Sequence, residues 1–175
     1  HEFEIFGVQE AYKQQIEDMK NNLPGFEYIG VGREDGKDAG EHAAIFYDTK
    51  EFKVLKKGDF WLSQTPAKPS TGWDAALPRI CTWGLFKHLP TGKKFLFFNL
   101  HMDHIGVDAR VQSAHLIEKK INEMGRDYPV ILTGDFNVDQ TESAYNTIIS
   151  SGMLNDSHDK AEIVYDNNGT YNAYK

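Results

Sequence analysis

The chain has 175 residues, a formal net charge of −7 and a hydrophobic share of 40%, enough for one sizeable buried core and without the composition of a disordered segment. No apolar run approaches the roughly 20 residues needed to span a bilayer. The acidic balance argues against wrapping long nucleic acid by bulk electrostatics, which requires many phosphates neutralised by Lys and Arg.

Phe3 to Val8 reads as a short buried strand ending at Gln9-Glu10, and Tyr12, Ile16, Met19 and Leu23 then recur on one helical face until Pro24-Gly25 stops the helix. Two further strands are expected at Phe26 to Gly32 and Ala43 to Tyr47, separated by the polar, glycine-containing loop Arg33 to His42, a candidate mobile rim. Phe52 to Leu62 and Ile80 to Leu89 are rich in aromatic and β-branched residues, and the long loop between them carries Pro66, Pro69, Gly72 and Pro78. Cys81, the lone thiol, lies in the second of these runs; it can form no internal disulfide and reads as a core residue, compatible with cytosol, periplasm or export alike. Pro90-Thr91-Gly92-Lys93 supplies the turn of an antiparallel hairpin whose second strand, Lys94 to Leu100, delivers Asn99-Leu100-His101 to its C-terminal end.

Val111, Ala114, Ile117, Ile121 and Met124 trace a second helix, with Asp108 as its expected N-cap. Pro129 to Thr133 is a compact apolar strand running into Gly134-Asp135-Phe136-Asn137; Asp139 and Glu142 then resemble a capping box for a third helix with Tyr145, Ile148 and Ile149 on its apolar side. Strands alternate with helices, so the class is mixed α/β with helices covering sheets, and residues 1–175 are expected to form a single domain.

Three polar clusters stand where buried strands end: Gln9-Glu10, His101-Met102-Asp103-His104 and Asp135-Phe136-Asn137. Each has a local structural reading: Glu10 complements a helix dipole, Asp135 and Asn137 form a turn, and only the histidine pair with Asp103 is unusual outside sites. Loops leaving one end of a sheet converge, however, so the three can meet around a metal or a substrate.

Val8-Gln9-Glu10, Asn99-Leu100-His101 and Leu132-Thr133-Gly134-Asp135-Phe136-Asn137, in that order, resemble the endonuclease/exonuclease/phosphatase superfamily over nearly the whole chain; Gly-Asp-Phe-Asn after an apolar strand is the most specific piece. Gly30 to Gly40, Trp73 to Trp83 and His101 to Arg110 look like a bacterial branch of it. The resemblance implies a deoxyribonuclease I-like four-layer α/β sandwich and divalent-metal-dependent phosphoester hydrolysis, more of the phosphodiesterase or nuclease kind. It implies Mg²⁺, with Mn²⁺ as a substitute, held by Glu10; Asp135 activating the attacking water; Asn137 holding that water or a phosphoryl oxygen; and His101 donating to a non-bridging oxygen. Arg79, Asp103, His104 and Trp73 are candidate substrate contacts; Arg79 has a salt bridge and Trp73 a loop anchor as its structural alternative. The substrate classes implied are nucleic acid, nucleotide, phospholipid and sugar phosphate.

Members of the superfamily open with an asparagine-bearing strand and close with an Asp-Tyr-Ile-like strand and a Ser-Asp-His motif. This chain runs from His1 to Tyr174-Lys175 with neither, so a domain incomplete at both termini is expected. Two other readings compete. His101-x-Asp103-His104 resembles half of the zinc site of metallo-β-lactamase-fold hydrolases, although Asn99 stands where a histidine is needed; and the sandwich could serve as a binding module, since function resides in the site and not the fold.

Overall fold

The computed structural model describes residues 3–125 and 127–164; the extremities of the expected 1–175 domain, including Tyr174-Lys175, lie outside the described residues. In chain order the elements are β1 (Ile5–Gly7), α1 (Lys13–Asn22), β2 (Phe26–Ile29), β3 (Ile45–Asp48), β4 (Phe52–Trp61), β5 (Ile80–His88), β6 (Lys94–His101), α2 (Val107–Met124), β7 (Val130–Asp135), α3 (Ser143–Ser150) and α4 (Ser157–Lys160). They form an antiparallel sheet ordered β1-β3-β2 and a second sheet ordered β4-β5-β6-β7, antiparallel except for the parallel β6-β7 pair. The β5-β6 hairpin is the one expected from Pro90 to Lys93, and Gly92 takes φ 72° in its turn.

The layers follow from side-chain alternation. On β6, Leu96, Phe98 and Leu100 face α2 and α3, packing with Ala114, Ile117, Ile121, Ala144 and Ile148; Phe95 and Phe97 face the other sheet, packing with Ile29, Ile45, Phe52 and Phe86. A third cluster packs Ile16 of α1 against Ala44 and Phe46, on the outer side of the small sheet. The order is therefore α1, three-stranded sheet, four-stranded sheet, α2 with α3: a four-layer α/β sandwich. Cys81 is fully buried in the large cluster, and burial pushes its thiol well above the usual value.

Two expected helix caps differ. α2 begins at Val107, which places Asp108 inside the first turn; the cap comes from the proline-rich loop, where Asp74 Oδ1 accepts from Ala109 N at 2.6 Å and Asp74 Oδ2 from Asp108 N at 3.3 Å. A Cβ at Gly106 would sit 2.6 Å from Asp74 Oδ1, so the absence of a side chain there is what admits the distant cap. Asp139 accepts from Thr141 N (2.7 Å) and Thr141 Oγ1 (2.5 Å), closing a turn ahead of α3, whose N-cap position is Glu142. Among the described residues no helix is long and apolar enough to cross a membrane.

Candidate active site

The parallel β6-β7 register pairs Asn99 with Thr133 and His101 with Asp135. Period-2 alternation puts Asn99 and His101 on the β6 face shared with Phe95 and Phe97, toward the small sheet, and Thr133 and Asp135 beside them. Glu10 arrives from the opposite side, on the segment leaving β1. There Glu10 Oε1 stands 3.9 Å from His101 Nε2, and Asp135 Oδ2 is also 3.9 Å from that nitrogen. Asp135 Oδ1 accepts from Asn137 N at 2.9 Å, which leaves Oδ2 as the oxygen turned toward the histidine; Asn137 Nδ2 donates to Met102 O at 3.0 Å.

Three non-glycine residues have positive φ among those described: Glu10 (60°), Trp73 (51°) and Asn137 (50°). Asn tolerates this region through its short polar side chain, but for Glu and Trp it is a strained conformation held by the surroundings.

His101 is buried, and its ring is bracketed by charge. Arg79 Nη1 lies 3.0 Å from Nε2 and 3.2 Å from Nδ1, near-equal distances that place the guanidinium against the ring instead of in line with one lone pair. Glu41 Oε2 lies 3.9 Å from Nδ1 and is itself paired with the buried Arg33. Burial first, and then the Arg79 charge, push the imidazole down to about 4, so at pH 7 it is neutral and carries one N–H.

Arg79 and Asp103 form the buried side of the site. Arg79 Nε donates to Asp103 Oδ1 at 3.1 Å, and Arg79 Nη2 to His104 Nδ1 at 2.7 Å. Asp103 Oδ2 accepts from the amides of Ala76 (3.1 Å), Ile105 (3.1 Å) and Gly106 (2.8 Å). Burial alone would raise the Asp103 carboxyl, but the amides of Gly106 and Ala76 and the Arg79 guanidinium outweigh it and hold the group well below the usual carboxylate range. Asp103 is committed to Arg79 and three amides, and neither it nor His104 belongs to the group of side chains that could share a metal ion among the described residues, so the zinc half-site His101-x-Asp103-His104 is not assembled. Arg79 makes the salt bridge its alternative reading anticipated, while its Nη groups reach the two histidines. Trp73 is half-buried, its backbone N donates to Gln64 Oε1 at 3.2 Å, and its indole has no hydrogen bond or ring contact with the cluster among the described residues.

Several neighbours were not nominated from the sequence. Asn99 is fully buried and joins the two sheets, while Arg33 and Glu41 come from the loop before β3, where no local pattern marks them. Asn99 did carry a signal: with His101 it is polar on an inward face of β6 that Phe95 and Phe97 make apolar.

Glu10, His101 and Asp135 each offer a ligand atom within 4.8 Å of the others, and among the described residues they are the group of His, Cys, Asp and Glu side chains able to hold a metal ion. The two exposed carboxylates supply hard oxygen donors and the imidazole a borderline nitrogen, so the group is able to hold a divalent cation without its donor set alone selecting which one.

No family model matches the chain. Its structure superposes on an endonuclease/exonuclease/phosphatase family protein from Bacteroides thetaiotaomicron with 60% identity and a TM-score of 0.90, over 93% of this chain and 58% of that one. The chain belongs to the endonuclease/exonuclease/phosphatase superfamily. A second superfamily structure, the mannosyl-6-phosphatase of Bacteroides thetaiotaomicron, is also 60% identical, with a TM-score of 0.95 over 98% of this chain and 65% of that one. A protein of Acanthamoeba polyphaga mimivirus is 33% identical over 146 residues, 78% of this chain and 53% of the viral protein. The chain thus spans between about half and two thirds of the length of these relatives.

Proposed function

We propose that this chain carries the centre of a divalent-metal-dependent phosphoester hydrolase, with Mg²⁺ as the resident ion and Mn²⁺ as its substitute. The observation that carries the reading is the convergence of Glu10, His101 and Asp135, brought from two sheets to within 4.8 Å. Glu10, exposed and on the open side, is the carboxylate that would hold the cation, with Asp135 adjacent. When bound, the ion supplies Lewis acidity toward a phosphoryl oxygen or the leaving group.

The chain's own groups divide the remaining work. Asp135 Oδ2, not engaged by Asn137, is the oxygen free to orient the attacking water and take its proton. Asn137 fixes that carboxylate through its backbone N–H and has a second amide hydrogen for the water or a phosphoryl oxygen. His101, neutral at pH 7, donates its single N–H to a non-bridging oxygen as charge builds up there, with the Arg79 guanidinium behind it reinforcing the positive potential.

The sequence leans toward a diester. The 60% identity to a mannosyl-6-phosphatase favours a sugar phosphate monoester as the first substrate to try. The test is Mg²⁺-dependent hydrolysis by the whole protein of mannose 6-phosphate, bis-p-nitrophenyl phosphate and DNA, with Asp135→Ala alongside. Turnover on at least one substrate, reduced at least ~100-fold by the substitution, is expected from loss of a general base. A folded protein without metal-dependent turnover on a broad phosphoester panel would overturn the reading in favour of a binding module.

A further inference from the structure

The side chain of Asn99 uses its full hydrogen-bonding capacity between the sheets. Its Oδ1 accepts from Gln9 Nε2 at 2.7 Å and Thr133 Oγ1 at 3.0 Å, and its Nδ2 donates to Val8 O at 2.9 Å and Ala44 O at 3.0 Å. Four partners from β1's exit, the segment entering β3 and β7 thus meet on one amide that is wholly shielded from solvent. The approach is so close that a Cβ at Gly7 would lie 2.3 Å from Asn99 Oδ1, which is why the β1 position facing it carries no side chain.

Glu10 follows Gln9 directly and has a φ of 60°. Left to itself, a glutamate would return to negative φ, because its Cβ is crowded in the left-handed region. Here it is pinned on both sides. Upstream, Gln9 is tied to Asn99. Downstream, Ala11 O accepts from His42 N at 2.8 Å, with His42 Nδ1 a further 3.2 Å contact. Unpinning either side would let the backbone relax and swing the carboxylate away from His101 and Asp135.

We propose that Asn99, acting through Gln9, is a positioning residue that holds Glu10 in its left-handed conformation and thereby sets the carboxylate opposite His101 and Asp135. The conformational part stands on the hydrogen bonds alone; its consequence for metal binding rests on the function proposed above.

The test uses Gln9→Met in the whole protein, a near-isosteric change that leaves Asn99 in place but removes its amide partner. Two quantities are read: the one-bond Cα–Hα coupling of Glu10, which reports the sign of φ, and the Mn²⁺ dissociation constant from titration of the free-ion electron spin resonance signal. Expected are a shift of the coupling toward its negative-φ value and Mn²⁺ binding weakened about tenfold, the lower end of what loss of an outer-shell partner does. Thr82→Val removes the 2.7 Å hydrogen bond to Asp59 elsewhere in the large sheet; it should lower the melting temperature and leave both readouts unchanged. An unchanged Glu10 coupling in Gln9→Met, or equal shifts in Thr82→Val, overturns the proposal. A shifted coupling with unchanged Mn²⁺ affinity overturns its carboxylate-setting half. If the native protein binds no Mn²⁺, the metal reading of the site fails, and the coupling still decides the conformational claim. Should Gln9→Met fail to fold, Gln9→Asn, one methylene too short to reach Asn99, answers the same question.

Discussion

The two sides of His101 are built on opposite principles. On one side Arg79 and Asp103, with side chains 4% and 1% exposed, saturate each other and the surrounding amides with hydrogen bonds. On the other, the Glu10 side chain is 69% exposed, sits on a strained backbone and has its carboxylate held by no hydrogen bond among the described residues. The saturated side can fix the imidazole because its charges are compensated and cannot move cheaply. The open side is what remains for a ligand, because carboxylates left unsatisfied by the protein have coordination capacity to offer.

Breaking the saturated side should have the largest effect. Asp103→Ala leaves the buried Arg79 guanidinium and three amides without their acceptor, and a loss of about 3–5 kcal/mol in urea unfolding is expected from orphaning a buried charge. An effect below about 1 kcal/mol would mean that water replaces the carboxylate and that this side is not the rigid one.

The pH dependence sharpens the same contrast. The Asp103 carboxyl is held below its unfolded value of about 3.9, so its contribution is fully present above that pH and is lost as pH falls from there toward the depressed folded value. Acidification through that window should destabilise the native protein. Asp103→Asn, which cannot titrate, should start lower and show a flatter dependence when unfolding is followed from pH 6 downward.

The smallest effect is expected on the open side, and with the opposite sign. Glu10→Gly relieves the left-handed strain while giving the unfolded chain more freedom, for a net gain of roughly 0.5 kcal/mol in thermal unfolding. The same substitution should abolish metal-dependent turnover. A destabilised Glu10→Gly protein would show that the carboxylate is structural after all.

Much of this site could be located from local pattern. Glu10, His101 and Asp135 stand in polar clusters where apolar strands end, the superfamily resemblance gives those positions their roles, and the structure brings the three to one place; Asn137 joins them by binding Asp135. The helix caps were less legible. Sequence points to Asp108 as the cap of α2, whereas Asp74, 34 and 35 residues from the amides that donate to it, caps the helix. Nothing in a sequence window links the proline-rich loop to that helix.

The strands, the β5-β6 hairpin, the amphipathic faces and the residues at the strand ends were determined by the sequence itself, since all depend on hydrophobic period and turn chemistry within a dozen or so residues. Tertiary structure alone decided that β6 pairs in parallel with β7 to set His101 beside Asp135, that Arg79 and Glu41 bracket the imidazole, and that Asn99 joins Gln9 and Val8 across 90 and 91 residues. These contacts are long-range hydrogen bonds and charge pairs whose energies exist only once the layers have packed and excluded water. A local pattern can point to some of these residues, as it does to His101 and Asp135, but cannot choose their partners.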